Sequence, residues 1–175
     1  MSGSVRIASL GSGSKGNGTV VADDATCVLI DLGFSVRETV HRLSRLELRP
    51  EDIDAILVTH EHADHIHGVA GFARKFGTPV YLTHGTYQPD RMGVLPSLNK
   101  VTSHAGFEIG SFSVTPVTVP HDAKEPCQYL LQSGRCVVGI LTDLGHITPH
   151  VVEHYRERSE EHTSELQSPD HLVCR

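Results

Sequence analysis

The chain has 175 residues, about one domain's worth, and 38% of them are hydrophobic, enough for a packed core. Lys and Arg total 15 against 21 Asp and Glu, a formal net charge of −6 that excludes the broad basic face of a nonspecific nucleic-acid binder, so any polyanion has to be held locally. No apolar run is long enough to span a bilayer and residues 1–14 lack the regions of a signal peptide, which predicts a soluble cytoplasmic protein with no membrane segment.

Residues 5–10 are short and apolar and lead into the Gly/Ser run of residues 11–18, which predicts a first strand and a tight loop. Residues 20–22 and 26–30 read as a hairpin around Asp23 and Asp24, its second strand ending at Asp31-Leu32-Gly33. Ser35 and Glu38 have the spacing of a capping box, and Val36, Val40, Leu43 and Leu46 share one face, so an amphipathic helix opens at Ser35 and stops before Pro50. Residues 53–59, apolar apart from Asp54 and the closing Thr59, have the pattern of a strand buried on both faces. A second helix is predicted over residues 68–76, with Val69, Phe72, Ala73 and Phe76 inward and Gly77 and Pro79 as stop signals. Strands are expected at 80–83, 112–119, 129–132 and 136–142, and a short helix with a loop in 86–100. With neither repeat nor linker this is one α/β unit. Cys27, Cys127, Cys136 and Cys174 make no CxxC pair and are expected to be thiols. Residues 158–175 show no periodicity; 158–168 and 171–175 read as two pieces of a translated sequencing-library adapter separated by its index, so we expect a non-native tail. The domain is then expected to be residues 1–157, cut off before its C-terminal part.

Thirteen histidines are the compositional excess, and they ask for a metal. Thr59-His60-Glu61-His62-Ala63-Asp64-His65 lies where the buried strand ends and the next helix begins, which places three histidines and an aspartate on one rigid turn. Imidazole nitrogen and carboxylate oxygen suit zinc and similar divalent ions, whereas calcium wants oxygen ligands and a structural zinc site cysteines. Gly68 completes the string H-x-H-x-D-H-x-x-G. Gly11-x-Gly13-x-x-Gly16 matches a dinucleotide fingerprint but runs into Thr19, Val20 and Val21 as a strand instead of opening a helix, which rejects that reading. His41 and His104 are read as exposed, and His67, His84 and His146 as structural.

On this histidine and aspartate string the chain resembles the metallo-beta-lactamase-fold hydrolases. Asp31-Leu32-Gly33, His121 after the strand of residues 112–119, and Asp143 in Leu141-Thr142-Asp143 fall in the family's order. Gly11-Ser12-Gly13-Ser14-Lys15-Gly16-Asn17, Pro120-His121-Asp122-Ala123 and Thr142-Asp143-Leu144-Gly145 look most like its YycJ-like (WalJ-like) branch, implicated as bacterial exonucleases acting on DNA. The resemblance implies the N-terminal part of an αββα sandwich. It also implies His60, His62 and His121 as ligands of a first divalent ion, Asp64 and His65 as ligands of a second, and Asp143 as the bridge between them. Asp64 and Asp143 are thereby the catalytic carboxylates. A further histidine ligand belongs to the family's C-terminal part. Two ions are expected, zinc first and manganese as the alternative, activating water for hydrolysis. Asp31, Thr59, Ser14 and Asn17 are expected to orient the ligands from the same edge. The implied substrate is DNA phosphodiester, with a thioester or small-ester hydrolase, or a metal-binding scaffold without turnover, as alternatives. The 175-residue chain itself is expected to be inactive and to lack most of a second sheet, which leaves apolar faces at residues 53–58 and 137–141 open. Its oligomeric state stays open.

Overall fold

Apolar runs of this length are stable only where both of their faces are covered, and the chain covers them with two sheets and flanking helices. The structure, a computed structural model, describes residues 4–143, 148–156 and 172–173. Strands β1 (Arg6–Gly11), β2 (Gly18–Ala22) and β3 (Cys27–Ile30) run antiparallel. The sheet continues in parallel through β4 (Ala55–Leu57), β5 (Val80–Thr83) and β6 (Leu98–Val101). A two-residue strand, Leu172–Val173, pairs antiparallel with the outer edge of β1. The second sheet is an antiparallel meander of β7 (Phe107–Ile109), β8 (Phe112–Thr118), β9 (Cys127–Ser133) and β10 (Cys136–Ile140).

Among the described residues five α-helices complete the layers: α1 (Val36–Ser44), α2 (Ala63–Ile66), α3 (Val69–Phe76), α4 (Pro89–Met92) and α5 (Pro149–Arg156). Leu43 of α1 and Val69, Phe72 and Ala73 of α3 pack with Leu29, Ile56 and Leu82 on one face of the first sheet. Val28, Ile30, Ala55 and Leu57 on its other face meet Phe112, Val114, Tyr129 and Leu131 of the second sheet. Tyr155 of α5 donates its hydroxyl to Ile140 O (3.0 Å), which sets that helix against the second sheet and gives the order α/β/β/α. Burying each Leu, Ile or Phe contributes roughly 1.5–3 kcal/mol, so the alternation along β4 commits this strand to the centre.

Several local expectations hold for the physical reasons that prompted them. Ser35 Oγ accepts the Glu38 N–H (3.2 Å) and opens α1, although the Glu38 carboxylate takes Arg42 Nε (2.8 Å) in place of closing the box. Gly77, at φ 73°, supplies the left-handed C-cap of α3. Cys27, Cys127 and Cys136 form no disulfide. Among the described residues no helix is long and apolar enough to cross a membrane.

Two expectations need correction. The faces of residues 53–58 and 137–141 are not left open for want of most of a second sheet: β7 to β10 form a four-stranded second sheet within the chain. Ala55 and Leu57 are buried with Val138 and Ile140 between the two sheets, and Ile53, Ile56 and Val58 are buried on the helical side. Among the described residues the only large exposed hydrophobics are Val94 and Leu141. Residues 86–100 also hold more than a helix and a loop, since β6 begins at Leu98 and adds to β5. Cys174 and His146 lie outside the described residues.

Candidate metal centre

The motif residues stand where β4 runs out, and backbone hydrogen bonds weld the surrounding turns together. Asn17 N–H donates to Asp64 O (2.8 Å), Gly33 N–H to Asn17 O (2.9 Å), Leu32 N–H to His65 O (2.8 Å) and Gly68 N–H to Leu32 O (2.9 Å). Two motif glycines are explained by this close approach. A Cβ at Gly33 would lie 1.7 Å from Asp64 O, and one at Gly68 would lie 2.0 Å from both Leu32 Cδ2 and Phe34 O. From the second sheet, Cys127 N–H donates to Thr59 O (3.0 Å) and the fully buried Tyr129 donates to Val58 O (2.8 Å). The strand end is therefore held from both layers.

Asp31, at φ 57° and 1% exposed, turns its carboxylate back into this weld. Its Oδ1 accepts Thr59 N–H (2.8 Å), and its Oδ2 accepts the Thr59 hydroxyl (2.7 Å) and His65 Nδ1–H (2.8 Å). Because the single Thr59 hydroxyl proton goes to Asp31, Thr59 Oγ1 accepts from His60 Nδ1, 2.9 Å away. Both rings thus carry their proton on Nδ1 and offer Nε2 to the cleft. Burial, followed by the charges of neighbouring histidines, lowers the His60 pKa to about 4 against the pull of Asp31, so this ring is neutral at neutral pH. Burial also opposes the charge on His65, but the hydrogen bond to Asp31 and the charges of Asp31, Asp143 and Asp64 outweigh it and raise that pKa.

Around these two Nε2 atoms the remaining residues assemble. Ligand atoms of His60, His62 and His121 lie within 4.8 Å of one another, as do those of His60, His65 and Asp143. His121 Nε2 stands 3.3 Å from His62 Nδ1. Asp143 Oδ2 lies 2.6 Å from His65 Nε2 and 3.8 Å from His60 Nε2. Asp64 Oδ2 is 3.6 Å from His65 Nε2 and is held by Asn17 Nδ2 (3.0 Å), whose amide oxygen is fixed by Gly13 N–H (2.9 Å). His60 Nε2 is buried without a hydrogen-bond partner. An orphaned buried imidazole nitrogen facing other imidazoles is costly unless a cation takes its lone pair. The donor set fits a divalent metal.

Of the expected orienting residues, Asp31, Thr59 and Asn17 touch ligand side chains; Ser14 is exposed and lines the adjoining cleft. His41, His67, His84 and His104 are exposed. Two positioning residues escaped the sequence reading. Glu61 Oε1 accepts Lys124 N–H (2.9 Å) and Glu61 O accepts Arg91 (2.9 Å), which ties the His60–His62 turn to the loop carrying His121 and to α4. Buried Gln128 holds Thr142 through its N–H (3.0 Å) and O, and so places Asp143. A polar residue inside the apolar start of β9 was the available signal for Gln128.

Comparison with known proteins bears on this arrangement. The model of the metallo-beta-lactamase superfamily matches residues 11–171. The exodeoxyribonuclease WalJ of Streptococcus pneumoniae serotype 2 (strain D39 / NCTC 7466) is 34% identical over 146 residues, 79% of this chain and 54% of that protein. The exodeoxyribonuclease YycJ of Bacillus anthracis is 34% identical over 148 residues, with the same shares. The chain thus spans about half the length of these curated relatives. Among solved structures, the Rm3 metallo-beta-lactamase superposes with a TM-score of 0.63 at 19% identity over 87% of this chain and 69% of that one, a likeness of fold.

Proposed function

The chain belongs to the metallo-beta-lactamase superfamily, and on that premise we propose that it carries the metal centre of a hydrolase that cleaves phosphodiester bonds in DNA. The observation that carries the reading is the convergence of His60, His62, His65, His121 and Asp143 around the partnerless His60 Nε2. The substrate is supported by two relatives at 34% identity that are named exodeoxyribonucleases.

In this reading His60, His62 and His121 hold one divalent ion. Asp64 and His65 hold a second, and Asp143 spans the two. Zinc suits the imidazole-rich set, and manganese is the alternative that the carboxylates favour. Such a pair supplies Lewis-acid chemistry, making water nucleophilic near neutral pH and neutralising charge on the attacked phosphoryl group. The chain's own residues prepare the site for it. Asp31 and Thr59 fix the protons of His60 and His65 on Nδ1, Asn17 orients Asp64, and Gln128 aims Asp143. Beside them lies a cleft of about 1100 Å³ that reaches from Asp64 and Asp143 to α1, above the roughly 300–1,000 Å³ usual for a small ligand. That volume leaves room for more than a single nucleotide. With thiols in place of disulfides at the described cysteines, we assign the protein to the cytoplasm.

The test incubates the full product of the gene, loaded with zinc or manganese, with end-labelled single-stranded DNA and separately with a glutathione thioester. Release of mononucleotides supports the reading. Thiol release without nucleotide release, or metal binding with no turnover of either, overturns it.

A further inference from the structure

A chain of net charge −6 that binds DNA must hold the polyanion at a local cationic site, and the cleft shows where. Besides Asp64 and Asp143 it is lined by Arg42 and Arg45 of the C-terminal turn of α1 and by the loop of Ser12 and Ser14. Arg42 and Arg45 are three positions apart and so share one face of the helix. Arg42 is a fixed member of this lining. Its guanidinium lies 4.2 Å from the centroid of the Phe34 ring, pairs with Glu38 (2.8 Å) and donates to Leu10 O. Glu38 offsets the charge of Arg42. Arg45, the C-cap of α1, is exposed and faces the same cleft. Ser12 and Ser14, also exposed, add hydroxyls to the lining from the loop that follows Leu10, whose carbonyl holds Arg42.

We propose that Arg45, next to the anchored and Glu38-paired Arg42 in a cleft that the Ser12 and Ser14 hydroxyls also line, is a subsite for a backbone phosphate of the nucleic-acid strand next to the one being cleaved. This rests on the phosphodiesterase reading above and adds to it the residues that keep the strand in register. Arginine suits the role because its fork of donors matches phosphate oxygens, and the hydroxyls donate to the same group without reading a base. The subsite therefore positions the strand without sequence preference, and it contributes mainly to KM.

The experiment measures binding of fluorescein-labelled single-stranded DNA by anisotropy over a series of salt concentrations, together with kcat and KM for its hydrolysis. It uses the metal-loaded full gene product, Arg45→Ala, Arg45→Lys and Arg37→Ala. Arg37 sits on the exposed side of α1, outside the cleft wall, and its loss changes the net charge by the same amount. Arg45→Ala is expected to weaken DNA binding by about 3- to 10-fold and to flatten the salt slope by about 0.7 to 1. It raises KM with kcat little altered. Arg45→Lys recovers part of the loss, and Arg37→Ala matches the parent. Equal affinities and salt slopes for the parent and Arg45→Ala, or equal losses in Arg37→Ala and Arg45→Ala, would overturn the subsite while DNA hydrolysis by the parent stands. A parent that neither binds nor cleaves DNA would overturn the underlying reading, and the subsite with it.

Discussion

Replacing Asp31 separates the orientation of the ligands from the ligands themselves. Asp31→Ala strips acceptors from Thr59 N–H, the Thr59 hydroxyl and His65 Nδ1–H in an interior where Asp31 is 1% exposed. Each orphaned donor costs about 1–3 kcal/mol, and a non-glycine, non-Asx residue at φ 57° adds roughly 1–2 kcal/mol. The sum is comparable to the whole stability of a domain, so this variant is expected to unfold. Asp31→Asn is the informative change. Asparagine tolerates the left-handed backbone and keeps one oxygen for Thr59 N–H, but it then presents an amide NH2 where Oδ2 had been. Thr59 Oγ1 can accept from that NH2. His65 Nδ1–H cannot, so the His65 proton moves to Nε2, the atom that faces Asp143 at 2.6 Å. Loss of such an orienting partner typically weakens metal binding by about 10- to 100-fold. The assay is competition for zinc against a chromophoric chelator, with thermal unfolding as the control for folding. A folded Asp31→Asn protein that held zinc as tightly as the parent would refute the orienting role.

Substitutions at two further residues, Asp23 and Glu61, probe what holds the segments of the fold together. Burial pushes the Asp23 pKa up, but the Ser111 and Ser133 hydroxyls and the Ala25 and Thr26 N–H groups overcome it and hold the carboxyl at about 2, well below its ordinary value. The folded-state pKa is depressed, so the stabilisation from Asp23 is present above the ordinary carboxylate range and lost as pH falls from about 4 towards 2. Acid titrations followed by circular dichroism should show Asp23→Asn less stable than the parent at pH 6, with the gap closing below pH 3; a constant gap would count against the assignment. Glu61→Ala is expected to loosen the His121 loop and reduce zinc affinity several-fold with little change in melting temperature. Glu61→Gln, which keeps an oxygen for Lys124 N–H, should restore most of it, and equal affinities for all three proteins would refute the tie.

What was legible in the sequence was what one segment decides alone. The run of residues 53–59 announces burial on both faces, Ser35 and Gly77 mark helix ends, and the spacing of His60, His62, Asp64 and His65 puts chemistry on one turn. Strands β6 and β7 were not legible. Asn99 and Lys100 interrupt the apolar pattern of Leu98–Val101, and Phe107–Ile109 is three residues long, so pairing with β5 and β8 decides them. Glu61 and Gln128 went unnoticed for a related reason. Their partners, Lys124 and Thr142, are 63 and 14 positions away, and no local period records such a bond. The second sheet was underestimated because three separate late strands do not reveal that they form a meander long enough to roof β3 and β4.

His60 belongs to both ligand groups of the centre, with His62 and His121 on one side and His65 and Asp143 on the other. Its removal therefore strikes both halves of the proposed metal site at once. The decisive measurement is mononucleotide release from end-labelled single-stranded DNA by the full gene product and by its His60→Ala variant, both folded and both at saturating zinc or manganese. The account predicts turnover by the parent and a loss of at least about 10³-fold in the variant, the scale expected when electrostatic stabilisation of the transition state is removed. Near-parental turnover by His60→Ala would contradict it.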